Sequence, residues 1–182
     1  MNGNQTAAGK RPEFLRWLNT LHHRGTEVYG NSFDVDHYPK KMTRQLYVYI
    51  MGDTDMMIFT GLDPDKGILL TQVPEEWNLL YLIKPFFPAV KQYPIRSTQE
   101  IRSMAMKGYL PTPNPFTTRV YCLDGLGTEM GLHLPNTDRE YFKDVLIQRH
   151  ANRLLTHAAT GMTVHDLEKK YGKIIEKLFN VL

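Results

Sequence analysis

Positively charged side chains recur at helical spacing between Asp138 and Ala159, near the end of the chain. A continuous helix over this range turns 100° per residue and places five of them along one side, with Arg149 at its edge: Arg139, Lys143, His150, Arg153 and His157. Binding to phosphates or to an acidic protein groove needs this kind of repeated, solvent-reachable positive charge. The pattern therefore predicts a partner-binding face and leaves open the alternative of an ordinary solvated helix surface.

The opposite side of the same predicted helix is aliphatic. Its members recur at helical spacing: Ile147, Ala151, Leu154, Leu155 and Ala158. We expect this flank to dock inward, because removing apolar surface from water is the main favourable contribution to folding. A partner would then reach the basic flank from solvent.

A second candidate site is Asp34-Val35-Asp36-His37, which combines two carboxylates with an imidazole in a predicted loop. Carboxylates at this spacing can share a divalent cation and position a phosphate. A metal-dependent enzyme of phosphoryl transfer or hydrolysis is therefore one alternative function. Two further Asp-x-Asp pairs, at 53/55 and 63/65, lie in predicted turns whose chemistry already explains them.

An aromatic, proline-punctuated stretch over residues 84–96 is a third candidate, with Phe86, Phe87 and Tyr93 as its anchors. Aromatic side chains dominate the energetics of protein interfaces. The stretch is typical of an interaction loop in a protein–protein inhibitor or an assembly subunit. The alternative is that it folds back over the sheet, because exposed phenylalanine pairs are unfavourable.

Signals for catalysis are weak. The chain has three serines, none in Gly-x-Ser-x-Gly, and its one cysteine, Cys122, is predicted to be a small core residue on a strand. Neither Gly-x-Gly-x-x-Gly nor a phosphate-loop Gly-Lys-Ser/Thr occurs. We therefore expect no cofactor, and the balance favours a protein that is not an enzyme.

Composition is that of a globular chain of 182 residues with 42% hydrophobic residues and a formal net charge of +3. Residues 1–95 carry ten Lys/Arg and ten Asp/Glu, whereas residues 96–182 carry twelve and nine, so the second half holds the whole excess. No apolar run approaches the roughly 20 residues of a membrane-spanning helix. A polar N-terminus and a single cysteine favour a cytoplasmic protein without a membrane partner.

In the first half, residues 1–10 are predicted to be a disordered tail. A helix is expected from Pro12 to a stop at Gly25. Three apolar runs separated by Gly/Asp/Pro turns predict a three-stranded antiparallel meander: Gln45–Met51, Met56–Thr60 and Ile68–Val73.

In the second half, Ser97-x-x-Glu100 and Thr137-x-x-Glu140 are capping boxes that start helices, and Gly108 and Gly161 end them. Another helix is expected to begin at Thr163, with Gly172 as a break. The remaining segments are predicted as a short helix from Pro74 to Ile83, a hairpin of Arg119–Cys122 with Thr128–Leu134, and a final helix over Lys173–Leu182.

Together these elements predict an α+β fold: an antiparallel sheet of about five strands, packed with five to six helices, over residues 11–182. Residues 138–182 are expected to form a helical C-terminal subdomain. The leading functional hypothesis is a small, non-catalytic binding or regulatory protein that engages nucleic acid or an acidic protein surface through its basic helix face.

Overall fold

The computed structural model describes residues 5–72, 77–87, 93–109, 114–128 and 137–182, with side chains from Pro12 onward and, in the last segment, from Tyr141. Five strands lie within these ranges: β1 (Gly67–Leu70), β2 (Ile95–Ser97), β3 (Tyr121–Asp124), β4 (Thr156–Ala159) and β5 (Phe179–Val181). They form one sheet in the order β2–β3–β4–β1–β5, and each neighbouring pair is parallel.

Helices connect the strands, as a parallel sheet requires. The described residues contain α1 (Gln5–Tyr29), α2 (Lys40–Met51), α3 (Thr54–Phe59), α4 (Leu79–Ile83), α5 (Thr98–Met106), α6 (Thr137–Ala151), α7 (Val164–Tyr171) and α8 (Ile174–Leu178). Short 3-10 helices cover Val35–His37, Lys84–Phe86 and Pro115–Thr117. None of the helices in the described ranges is long and apolar enough to span a membrane.

Two apolar cores lie on opposite faces of the sheet, because successive side chains of a strand point to opposite sides. Ile68 and Leu70 of β1 pack with residues of α1, α2 and α4. Leu69, between them, packs with residues of α5, α6, α7 and α8. Both faces of the sheet are therefore covered, which is the usual arrangement of a parallel α/β sheet.

The prediction of an antiparallel α+β fold is wrong, since the sheet is all-parallel and the fold is α/β. Two of the three predicted meander strands are helices, namely α2 and α3. The run Leu46-Tyr-Val-Tyr-Ile50 has high β propensity, yet all five of its residues are buried within α2. Burial around most of the helix outweighs this weak local preference.

The prediction of one helix from Asp138 to Ala159 is also wrong, because α6 ends at Ala151 and β4 begins at Thr156. Two residues after the helix, Arg153 adopts the left-handed conformation, with φ of 52°, and turns the chain away from the helix axis. The amide N–H groups of Arg153 and Leu154 donate to the carbonyls of His150 and Arg149 at 3.0 and 2.9 Å. Glycine usually occupies this position, so the sequence carried no obvious stop.

Gly25 does not stop the first helix, which continues to Tyr29. A Cβ at Gly25 would lie 2.1 Å from the ring of Phe33, so this glycine allows a close approach of helix and ring. The helix begins at Gln5 and thus includes residues 5–10, which were expected to be disordered; residues 1–4 lie outside the described residues.

The expected helical subdomain over residues 138–182 instead supplies β4 and β5 to the central sheet. Its predicted final helix is limited to Ile174–Leu178 and is followed directly by β5. The first strand of the predicted hairpin overlaps β3, which pairs in parallel with β2 and β4. Most of the second, 129–134, lies outside the described residues.

The capping signals of α5 and α7 were predicted correctly, whereas Gly161 does not end α6 and the side chains of the Thr137-x-x-Glu140 box lie outside the described residues. Ser97 accepts a hydrogen bond from the Gln99 amide at 3.2 Å at the start of α5, and Thr163 accepts one from Asp166 at 3.2 Å at the start of α7. Gly108 and Gly172 follow the ends of these helices with φ of 68° and 78°. A capping bond depends only on residues within one turn, so it is independent of the global topology.

Candidate functional site

The outer face of α6 presents part of the predicted basic row to solvent. Lys143, Ile147 and His150 recur at positions i, i+4 and i+7 and are all exposed, while Arg153 is exposed just beyond the helix end. The side chain of Arg139 lies outside the described residues. The buried face of the helix consists of Phe142, Val145, Leu146 and Arg149.

The expected orientation of this helix is therefore only partly correct. Ile147 and Ala151, assigned to the inward flank, face solvent, and Arg149, assigned to the outer flank, is fully buried. His157 is also fully buried, because it lies on β4 rather than on a helix. Neither Arg149 nor His157 is available to a partner on this surface.

Arg149 is held by four hydrogen bonds to neutral oxygens. Its Nε donates to the Thr156 hydroxyl at 2.8 Å, and its Nη1 donates to the Phe116 and Arg119 carbonyls at 2.5 and 2.8 Å. Its Nη2 donates to the Leu155 carbonyl at 3.2 Å. One guanidinium thus joins the end of α6 to the segments that lead into β3 and β4.

Burial lowers the pKa of Arg149 to about 10, while electrostatic contributions from Tyr121 and Cys122 raise it. The side chain remains cationic at neutral pH. Among the described residues, no acidic group forms a salt bridge with it. The three carbonyl oxygens and the hydroxyl that accept its hydrogen bonds supply partial negative charge, and its place in the last turn of α6 also favours a cation.

Arg119 is a further exposed cation near the end of α6, since its carbonyl accepts a hydrogen bond from Arg149; the sequence pattern placed it within a strand and did not select it. It is exposed two residues before β3. Tyr121 of β3 is paired with Thr156 of β4, so Arg119 and Leu154 lie at the same level of neighbouring segments. The Asn152 side-chain amide also donates to the Thr117 carbonyl at 2.8 Å. Arg119 and Arg153 are therefore held on adjoining chain segments at the amino ends of β3 and β4.

In the described part of the aromatic loop, which leaves out residues 88–92, two of the three predicted anchors lie in the core. Phe87 and Tyr93 are buried, and their rings lie 5.5 and 4.6 Å from that of His157. Phe86 is partly buried against Trp17, with ring centroids 6.0 Å apart. For Phe87 and Tyr93 the fold-back alternative therefore describes the structure, and neither presents an exposed anchor.

The proposed metal ligands do not form a site. The Asp34 carboxylate accepts a hydrogen bond from the Asp36 amide at 2.9 Å and caps a short 3-10 helix. The ring of His37 packs edge-on against Trp77 at 5.5 Å. Throughout the described part of the chain, no group of three or more His, Cys, Asp or Glu side chains could hold a metal ion.

A polar cluster at the carboxyl end of β3 was missed. Asp124 ends this strand, and burial raises the pKa of its carboxyl, while hydrogen bonds from the Asn78 side chain and the Gly125 amide lower it. Tyr29 donates to the Asn78 carbonyl at 3.1 Å. Ligands of parallel α/β sheets bind at the carboxyl ends of strands. An apolar run ending in Asp-Gly was the available signal, but it was interpreted as a hairpin turn.

Comparison with known proteins gives similarity only at the level of structure. The chain matches no protein-family model and no curated protein sequence. It is similar to the crystal structure of the DnaC helicase loader, with a TM-score of 0.54 and 17% sequence identity. The match covers 85% of this chain and 97% of that one. At this identity the likeness establishes a shared fold.

Proposed function

We propose that this chain is a small, non-catalytic binding or regulatory protein that engages a polyanionic partner, either nucleic acid or an acidic protein. The binding site is the basic surface formed by Arg119, Lys143, His150 and Arg153. The observation that carries the proposal is the placement of these exposed side chains on one helix face and on the adjoining strand lead-in.

Two physical features support binding at the basic surface. Lys143 and His150 lie seven residues apart on α6, roughly 10 Å along the helix axis, which is a span that several phosphates or carboxylates can occupy. The buried charge of Arg149 lies directly beneath and bonds the Arg119 carbonyl. It adds a positive charge that no described acidic side chain pairs with.

The amino-acid sequence of the connection after β1 favours a binding protein that does not hydrolyse a nucleotide. A phosphate loop joins a strand to the following helix through a glycine-rich turn that carries a lysine. Here the eight residues from Thr71 to Asn78, between β1 and α4, include no glycine and no lysine.

The structural neighbour adds weak support. It is a helicase loader, so by its name it acts with a helicase. A protein with this fold can thus serve through its partners, which agrees with a binding role for the present chain. The neighbour does not distinguish nucleic acid from protein as the partner of the basic surface.

Equilibrium binding to duplex and single-stranded DNA across a salt series tests the proposal. Since each neutralised phosphate releases counterions, we expect the logarithm of the affinity to fall linearly with the logarithm of salt concentration. Parallel titration with an acidic peptide separates the two partner classes. Absence of salt-dependent binding to either probe would refute the proposal.

A triple variant assigns any binding to the basic surface. Arg119→Ala, Lys143→Ala and Arg153→Asn remove three exposed positive charges, and asparagine tolerates the left-handed conformation of residue 153. We expect weaker binding and a flatter salt slope. The matched control is Lys40→Ala, Lys41→Ala and Arg44→Ala, which removes three charges from exposed positions on α2. Equal losses in both variants would indicate a general charge effect.

A further inference from the structure

Three strongly exposed apolar side chains lie at the ends of the consecutive helices α2 and α3. Phe59 is 83% exposed, Ile58 is 65% exposed and Met51 is 58% exposed. Only Gly52 and Asp53 separate the two helices. Isolated apolar residues are common on protein surfaces, whereas a local group of them marks an interaction site.

The chain that follows these side chains, residues 60–66, is held by partly buried hydrogen bonds. The side-chain oxygen of Asn180 on β5 accepts a hydrogen bond from the Asp63 amide at 2.8 Å. Its side-chain nitrogen donates to the carbonyls of Asp63 and Lys66 at 2.8 and 3.2 Å. The Tyr49 hydroxyl donates to the Lys66 carbonyl at 2.8 Å. Gln45 donates to the Thr60 carbonyl at 3.1 Å. A surface next to a chain held this way loses less conformational freedom when it binds.

The charge around these apolar residues is opposite in sign to that of the whole chain. Residues 51–66 contain four aspartates and one lysine, a formal charge of −3, whereas the chain carries +3. Asp55 lies three and four residues before Ile58 and Phe59 on α3, so it borders both side chains. Asp53, which caps the start of α3, and Asp55 form the acidic rim of these apolar residues.

We propose that this α3 tip, consisting of Met51, Ile58, Phe59 and the acidic rim, binds a protein partner that presents the apolar face of an amphipathic helix bordered by lysine or arginine. Phe59 is the central anchor, since exposed aromatic residues on rigid supports make the strongest interface contacts. The acidic rim disfavours nucleic acid and anionic membranes, because both carry negative charge. This surface is separate from the basic surface and does not depend on it.

Binding of a model peptide to the full-length protein tests this proposal. The probe is a synthetic amphipathic helix of leucine and lysine, which presents an apolar stripe bordered by positive charge. The matched control peptide replaces each lysine with glutamate. We expect the lysine peptide to bind, and Phe59→Ser to weaken its binding by about tenfold or more. Asp55→Asn should weaken it by roughly two- to fivefold.

Control variants decide where the peptide binds. Tyr109→Ser changes another strongly exposed aromatic residue and should leave the affinity unchanged. The Arg153→Asn variant of the basic surface should also bind the peptide normally, so the two proposals can fail separately. The proposal is overturned if the lysine peptide does not bind, if Phe59→Ser binds it equally well, or if the glutamate peptide binds as tightly. Self-association that Phe59→Ser abolishes would overturn it in favour of a second copy as the occupant.

Discussion

Arg149 shows how the environment of a residue decides its role. Its position in the sequence places it beside the predicted row of exposed cations, yet in the fold it lies on the buried side of α6, near the end of the helix. There it donates to one hydroxyl and three carbonyl oxygens from segments on both sides of the helix end. The residue positions the basic surface and does not itself contact a partner.

Replacing Arg149 with methionine should strongly destabilise the protein. Three carbonyls and a hydroxyl in a buried or partly buried position would lose their donor, and we expect a loss of about 3 kcal/mol or more in the free energy of unfolding. Denaturant unfolding measures this loss. The matched control is Arg119→Met on the exposed surface, for which the change should stay within about 0.5 kcal/mol. Similar losses in the two variants would contradict the assigned role of Arg149.

Asp124 should make stability depend on pH in the acidic range. Burial raises the pKa of its carboxyl above the ordinary value of 3.8, so ionisation of this group opposes folding at neutral pH. As the pH falls through the folded-state pKa toward 3.8, the folded protein binds a proton before the unfolded chain does. The unfavourable contribution of this group is therefore relieved as the solution becomes more acidic.

Substituting Asp124→Asn tests this assignment. The amide keeps the size of the side chain and can still accept a hydrogen bond, but it carries no charge. We expect the variant to unfold at higher denaturant concentration than the parent at pH 7. The difference should narrow as the pH approaches 3.8. A variant that is less stable than the parent at pH 7 would show that Asp124 is favourably ionised in the fold.

At the scale of elements, β1 and β4 approach each other so closely that one position excludes a side chain. A Cβ at Gly67 would lie 1.5 Å from the Thr156 carbonyl oxygen, which is a backbone atom and cannot move aside alone. These two strands form the centre of the sheet order. Glycine at residue 67 is therefore a requirement of the strand pairing.

Changing Gly67→Ala should cost about 3 kcal/mol or more, because the central strands must separate. The control is Gly161→Ala, where an added Cβ meets no atom within 4 Å and the backbone conformation is ordinary. Thermal unfolding of the two variants provides the comparison. Equal melting temperatures would mean that β1 and β4 are not packed as described.

The elements that were predicted correctly are those governed by local contacts. The caps at Ser97 and Thr163 and the glycines at 108 and 172 each act within one helical turn, so the sequence alone was sufficient. Strands were harder to predict from the sequence. For example, β4 has the sequence Thr-His-Ala-Ala, which has no strong β propensity. Burial in the middle of a parallel sheet determines its conformation, and this information is not local.

The candidate site was predicted only in part for the same reason. Lys143, His150 and Arg153 are exposed as expected, but the helix boundary at Ala151 placed His157 on a strand inside the protein. Arg119 became part of the surface only through the pairing of β3 with β4. An exposed cation can be identified from its spacing on one helix, whereas neighbours across a sheet require the strand order.

Considered as a whole, the molecule carries a basic surface and an acidic tip at different places, and it also exposes three cations on α2: Lys40, Lys41 and Arg44. The basic surface lies on the side of the sheet covered by α5 to α8, and the α3 tip follows α2 on the other side. The chain, whose formal net charge is +3, therefore includes a segment, residues 51–66, whose formal charge is −3. Such a distribution allows a binding protein to contact two partners of opposite charge at the same time.

Mapping amide chemical shifts during titration with a DNA oligonucleotide at low salt tests the central claim most directly. We predict that the perturbed amides cluster at residues 143–153 and at residues 118–120, and that added salt reverses the changes. The amides of α2 and α3 should remain unperturbed. Perturbations centred on α2 or α3, or no perturbation with either DNA or an acidic peptide, would contradict the account.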